Sequence, residues 1–225
     1  MKEYYEELMK FVPYTIQIAE REDLRHLWKL EPYPCLDIFE DFYECFQNAL
    51  DIRTSFFEIL PIEEIHIKNG GLVFASGYIN SYPIGVEMTD LDYEDPRVKY
   101  QTHENGVWFS ESGSLRSFLF NTSAWQILHT MKSAAHIKIR NEKNFDKMIG
   151  DSLFFVAEDK SVILRSNYLT CQNAEKNILG VFNRLNGCLY FGADDESTLT
   201  NFIKSNYPAN KIHGLWMKSC TKAGK

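Results

Sequence analysis

The chain has 225 residues, 44% of them hydrophobic and 14% aromatic, and a formal net charge of −7. A chain of this length can bury about 70% of the surface its unfolded form exposes, so it is expected to fold on its own. No apolar run approaches the roughly 20 residues of a membrane-spanning helix, and Glu3, Glu6 and Glu7 argue against a secretory leader, so a cytoplasmic protein with no membrane partner is expected.

In chain order, residues 3–12 read as a short amphipathic helix, with Tyr5, Leu8, Met9 and Val12 on one face and Pro13 at its end. A looser connection runs from Arg21 to Pro34. The helix that follows is the clearest in the chain: Leu36, Phe39, Phe42, Tyr43, Phe46 and Leu50 form an apolar stripe. Asp37, Glu40, Asp41, Glu44 and Asp51 recur at helical spacing on the opposing face. Pro34 suits a first helical turn, and acids just after it favour the positive end of the helix dipole. The helix is expected to reach about Phe57. Leu60-Pro61 breaks it before a short turn of helix ending at Gly70-Gly71, where glycine suits a left-handed cap, although Ile65-His66-Ile67 also alternates like a strand.

Strand periodicity comes next. Leu72, Phe74 and Tyr78 alternate on one side, and Ile84, Val86 and Met88 in the following run, which predicts a hairpin. Beyond it Glu87, Asp90, Asp92, Glu94 and Asp95 crowd into nine residues, and Pro96 holds Asp95 extended, so these acids project from an elbow. A strand carrying Trp108 leads to a helix with Leu115, Phe118, Leu119, Thr122 and Trp125 on one face, capped by Ser112 or Ser114. Trp108 is expected to be buried because it precedes a helix that must pack. Tyr82 and Tyr93 flank turns and are expected to be exposed, as interface anchors would be.

From about His136 the pattern is less regular. Ser152 to Ala157 and Ser161 to Arg165 read as a hairpin joined by Glu158-Asp159-Lys160, Leu189 to Phe191 as a strand, and Asp194-Asp195-Glu196 as the opening of a helix to Ser205. Pro208 ends that helix, Ile212 to Met217 form a last strand, and the tail from Ser219 has nothing to bury. The grouping of helices and strands predicts an α+β fold with a mixed, mostly antiparallel sheet flanked by helices. Residues 1–135 form its core, and 136–225 an α+β portion packed on the same sheet as one domain.

Charge is unevenly distributed. There are 22 acidic and 9 basic residues up to Leu115, a net of −13, and 9 acidic and 15 basic beyond it, a net of +6. The acidic half would repel phosphates, and the basic residues of the second half are spread without a recognition motif, so nucleic acid is not the expected partner. Clustered carboxylates instead suit docking of a basic protein, since they raise encounter rates and lend specificity. The expected partner-binding residues are Asp37, Glu40, Asp41, Glu44, Tyr82, Glu87, Asp90, Asp92, Tyr93, Glu94 and Asp95.

Catalysis finds no local support. The six histidines form no His-Glu-x-x-His or His-x-His pattern, and Gly-x-Ser-x-Gly, Gly-x-Gly-x-x-Gly and phosphate-loop motifs are absent, so no catalytic set, metal or cofactor is expected. Asp90 and Asp92 share one loop, without the separate environments that acid–base pairs need. Cys35, Cys45, Cys171, Cys188 and Cys220 are odd in number and scattered, which fits buried reduced thiols.

Several short pieces stand in a telling order: Asn69-Gly70-Gly71, Leu72-Val73-Phe74-Ala75, Gly85, Asp95-Pro96-Arg97-Val98, and Ser114-Leu115-Arg116-Ser117-Phe118-Leu119. In order and spacing they resemble the SUKH superfamily, over a third to a half of the chain. One position departs from the pattern, since Ile84 stands where the family often has Trp before the glycine. The resemblance implies an immunity protein that neutralises a toxin by covering its active surface. Its eukaryotic members imply an alternative, a regulatory scaffold that binds a cellular enzyme. A third reading, an enzyme with an unrecognised site, would require a deep pocket holding a titratable group of shifted pKa.

Overall fold

The protein, seen here in a computed structural model, is described for residues 2–12, 33–49, 58–77, 82–102, 106–138, 154–161, 166–173, 175, 177–183, 186–207 and 213–219. The far end of the acidic helix with Asp51, the Arg21 connection, Tyr78, Pro208 and the tail beyond Ser219 lie outside these residues.

Helix α1, Lys2–Met9, packs against α2, Leu36–Phe46. The apolar stripe drives that contact: Tyr5 meets Phe42 and Phe46 edge-on, with ring centroids 5.8 and 5.6 Å apart. α2 gives way to a turn at Gln47-Asn48, short of the predicted Phe57. Next come the strands β1 (Glu58–Ile59), β2 (His66–Lys68), β3 (Gly71–Ser76) and β4 (Pro83–Glu87). Only Ile62–Glu64 forms a helical turn here, and Ile65-His66-Ile67 follows the strand reading.

Asn69 and Gly70 both take positive φ, 48° and 74°, and Lys68 pairs with Gly71 across them. That is the geometry of a two-residue type I′ hairpin turn, for which Asn-Gly is the preferred pair. The glycine therefore turns a hairpin rather than capping a helix.

After the elbow, the single expected strand is two: β5 (Val98–Gln101) and β6 (Trp108–Ser112). These strands form one antiparallel sheet in the order β1-β3-β4-β5-β6, with β2 also paired to β3. Helix α3 spans Leu115–Thr130, and its N-cap is Ser114, whose hydroxyl accepts from the Ser117 N–H at 3.1 Å.

The second half builds a sheet of its own instead of extending the first. Its strands are β7 (Ser133–Lys138), β8 (Phe154–Ser161), β9 (Ser166–Gln172), β10 (Leu179–Asn183), β11 (Cys188–Ala193) and β12 (His213–Ser219), ordered β12-β7-β11-β10-β9-β8. β8 runs through Glu158-Asp159-Lys160, the expected turn, and pairs with β9 across a register shift between Phe155 and Ala157. Helix α4, Glu196–Asn206, begins at Asp195. Hydrogen bonds from Ser197 and Thr198 hold the Asp195 carboxyl down at about 2, as an N-cap acid should be.

α3 lies between the two sheets. Phe118 touches Phe74 of β3, and Trp125 meets Tyr190 of β11 edge-on at 4.8 Å. Nearly the whole length of α3 is buried, as a helix enclosed on both sides must be. On the opposite face of the second sheet, Phe202 and Tyr207 pack on Phe191 alongside Leu199 and Ile203 of α4. β10 is therefore buried on both faces.

Candidate functional site

The predicted site residues come from two elements, α2 and the elbow between β4 and β5. On α2 the apolar stripe leaves Asp37 at the surface, but Glu40 is buried. Asp41 accepts from the backbone N–H of Lys2 at 3.2 Å, and Glu44 pairs with the Lys2 ammonium. Hydrogen bonding to Glu44 raises the Lys2 pKa, so this pair stays charged and ties α1 to α2.

The elbow is held in the same manner. Lys99, directly across the ladder from Gly85, reaches both Glu87 and Asp90, the latter at 2.7 Å. Burial alone would depress Lys99, but hydrogen bonds to Asp90 and Glu87 outweigh it and raise its pKa. Asp95 accepts from the backbone N–H of Arg116 at 3.0 Å, and its other oxygen lies 4.0 Å from that guanidinium. Pro96 also gives its carbonyl to the Leu115 N–H. The Asp-Pro corner is thereby fastened to the first turn of α3, where a carboxylate complements the positive end of the helix dipole.

Of the predicted acids, Asp37, Asp92 and Glu94 remain exposed, and no hydrogen bond or ion pair engages them among the described residues. Tyr93 stands between the last two and is 63% exposed. Tyr82 is 38% exposed and meets Tyr100 edge-on. Phe109, stacked on the other side of Tyr100, is 44% exposed, an outward aromatic that strand periodicity did not single out.

Burial pushes the Cys35 thiol up to about 12, and Asp92, Asp37 and Asp95 all add to that shift. Burial likewise raises the Tyr5 hydroxyl, with Asp41 and Asp95 contributing from the two elements. Cys45 is buried and pushed up to about 12 as well. Both thiols are held protonated and are poor nucleophiles.

Beside the elbow lies an open groove of about 560 Å³. Asp90, Tyr93 and Asp95 line it together with Arg97, Lys99 and Ser110. Its charge is mixed: Lys99 is saturated by carboxylates, while Arg97 is exposed and has no ion pair among the described residues.

Trp108 is not buried beneath α3. Its indole lies on the outer face of the first sheet, against Gly71 and Gly85, and its ring N–H donates to the Asn69 carbonyl at 3.0 Å. Ile84, the neighbour of Gly85, is buried in the core.

Comparison with protein-family models, with curated proteins and with solved structures finds no match to this chain.

Proposed function

We propose that this protein is a non-catalytic, immunity-type binding protein that occludes a basic toxin domain, such as a nuclease with a cationic substrate groove. Its contact surface is the area around Tyr93 bounded by Asp37, Asp92 and Glu94. The observation that carries this reading is that Asp92 and Glu94 stand exposed on either side of Tyr93, whose ring is 63% exposed, with no ion pair among the described residues. The SUKH-like order of motifs supplies the class of partner. Exposed carboxylates would steer a cationic protein into place, and the Tyr93 ring would supply an anchor of the kind that dominates interface energies. Glu87, Asp90 and Asp95 serve a different purpose: their pairing with Lys99 and Arg116 fixes the elbow that presents Tyr93.

The test is association with a basic domain encoded next to this gene. Raising salt from about 50 to about 500 mM should slow association at least about tenfold. The triple variant Asp37→Lys, Asp92→Lys, Glu94→Lys should slow it comparably at low salt, while Tyr93→Ala should mainly speed dissociation, by about tenfold or more. Binding that is indifferent to salt and to these four substitutions would refute the placement.

A further inference from the structure

Glycine after asparagine makes a covalently weak point in a chain. With no side chain in the way, the glycine nitrogen can attack the amide carbon of the asparagine. Asn-Gly occurs at 69, 105 and 186. Asn105 lies outside the described residues, as does Leu185 just before Asn186, whereas Asn69, Gly70 and their partners Met88, Gln101 and Trp108 are all described. Asn69 and Gly70 are exposed, so water and hydroxide reach them and conformation sets the rate.

The reaction closes a five-membered ring. The Gly70 N–H gives its proton to water or hydroxide, the nitrogen bonds to Asn69 Cγ, and the Cγ–Nδ2 bond breaks, the leaving nitrogen taking a proton from water to depart as ammonia. Water then opens the succinimide at one carbonyl or the other, to aspartate or to isoaspartate, in which the backbone runs through the former side chain. Closure needs Asn69 Cβ and the Gly70 nitrogen nearly eclipsed about the Cα–C bond. The positive φ values of Asn69 and Gly70 belong to a type I′ turn, whose first central residue has ψ of about +30°; for an L-residue that sets the two atoms roughly 150° apart.

Three contacts keep the turn in this shape. Lys68 and Gly71 pair across it. The Trp108 indole N–H donates to the Asn69 carbonyl at 3.0 Å, which pins the peptide plane that carries the attacking nitrogen. The Asn69 side-chain amide, the leaving group, donates to the Gln101 side-chain oxygen at 2.9 Å, and buried Gln101 is held in turn by its own amide on the Gly106 carbonyl at 2.7 Å. Nucleophile and electrophile are thus gripped separately, by residues of β6 and β5.

Conversion would be hard to undo. Aspartate sets a carboxylate against the Gln101 oxygen, and Gln101 cannot turn its amide round without losing Gly106. Isoaspartate adds a methylene to the backbone of a two-residue turn and breaks the Lys68–Gly71 register. The Gly70 carbonyl also accepts from the Met88 N–H at 2.9 Å where the elbow begins, so the damage would reach that loop.

We propose that Asn69 is a gated deamidation site, closed while the β2–β3 hairpin is formed and open to conversion when that hairpin unfolds locally. Its rate is then the unfolded-chain rate multiplied by the fraction of time the hairpin is open. The test holds the full chain in mildly alkaline buffer, native and in enough guanidinium chloride to abolish its circular dichroism, and follows Asn69 by peptide mapping and mass spectrometry. Native conversion should be at least about tenfold slower than unfolded. Trp108→Phe and Gln101→Leu each remove one grip and should speed native conversion about threefold or more, leaving the unfolded rate unchanged. Native conversion at the unfolded rate would overturn the proposal, as would variants of native circular dichroism in which Asn69 converts no faster than in the unaltered chain. If neither variant folds, the first comparison still decides.

Discussion

Gly85 occupies a position where a side chain has no room. A Cβ there would stand 2.4 Å from the carbonyl oxygen of Leu72 and 3.1 Å from the Trp108 ring. The first contact is with backbone inside a hydrogen-bonded ladder, which cannot move aside as a flexible side chain would. Gly85→Ala should therefore cost about 1–3 kcal/mol in denaturant unfolding, and removing the indole with Trp108→Ala should fail to rescue it. Gly113, with open space around its Cβ direction, is the control: Gly113→Ala should change stability by no more than about 0.5 kcal/mol. Recovery of Gly85→Ala by Trp108→Ala would show that the ring, and not the strand backbone, sets the requirement.

At the level of elements, α3 is the part on which both sheets depend, and a buried polar contact helps to fasten it to the second. Thr170 of β9 donates its hydroxyl to the side-chain Oδ1 of Asn121 at 2.6 Å in a fully buried setting, and the Asn121 side-chain amide donates to the Ser117 backbone carbonyl within the helix at 2.9 Å. Thr170→Val keeps the shape but strands the Asn121 oxygen, and should destabilise by about 1–3 kcal/mol. The double variant Asn121→Leu, Thr170→Val removes both partners and should recover part of that loss; a double variant that loses the sum of the two single effects would count against the bond. How far such elements could be read from the residues depended on their surroundings. Ser114 and Asp195 announced their helices because a cap is a local contact three residues long. β10 escaped notice because Leu179-Gly-Val-Phe-Asn is covered on both faces, which erases the alternation that marks a half-buried strand. Glu158-Asp159-Lys160 misled for the opposite reason: β8 is an edge strand, where charges are tolerated as protection against pairing with other chains. The acids of the elbow were visible as a cluster, but their pairing with Lys99 and Arg116 was not. It follows from strand register and from the approach of the Asp-Pro corner to α3, and neither has a period in the chain.

For the molecule as a whole, the question is whether two sheets mean two folding units. One buried cluster draws on both. Leu179 and Val181 of β10 belong to the same buried cluster as Phe74 of the first sheet and Leu119 of α3, so the larger core crosses from one half of the chain to the other. A first half standing alone would expose the side of α3 that now meets the second sheet, including Trp125 and Leu128, and the hydrophobic cost of that exposure opposes partial unfolding. The fold is therefore expected to unfold cooperatively, and two tryptophans are placed to report it: Trp108 on the outer face of the first sheet, and Trp125 at the junction with the second. In variants that retain one of these two and carry Phe at the other tryptophan positions, fluorescence midpoints in denaturant should coincide with each other and with circular dichroism. Val181→Ala, which trims the second sheet's share of the common cluster, should lower both midpoints together by an amount matching about 1–3 kcal/mol. A Trp108 transition that keeps its midpoint while the Trp125 transition falls would mean that the sheets unfold separately, and the shared core would then be a contact surface between two independent units.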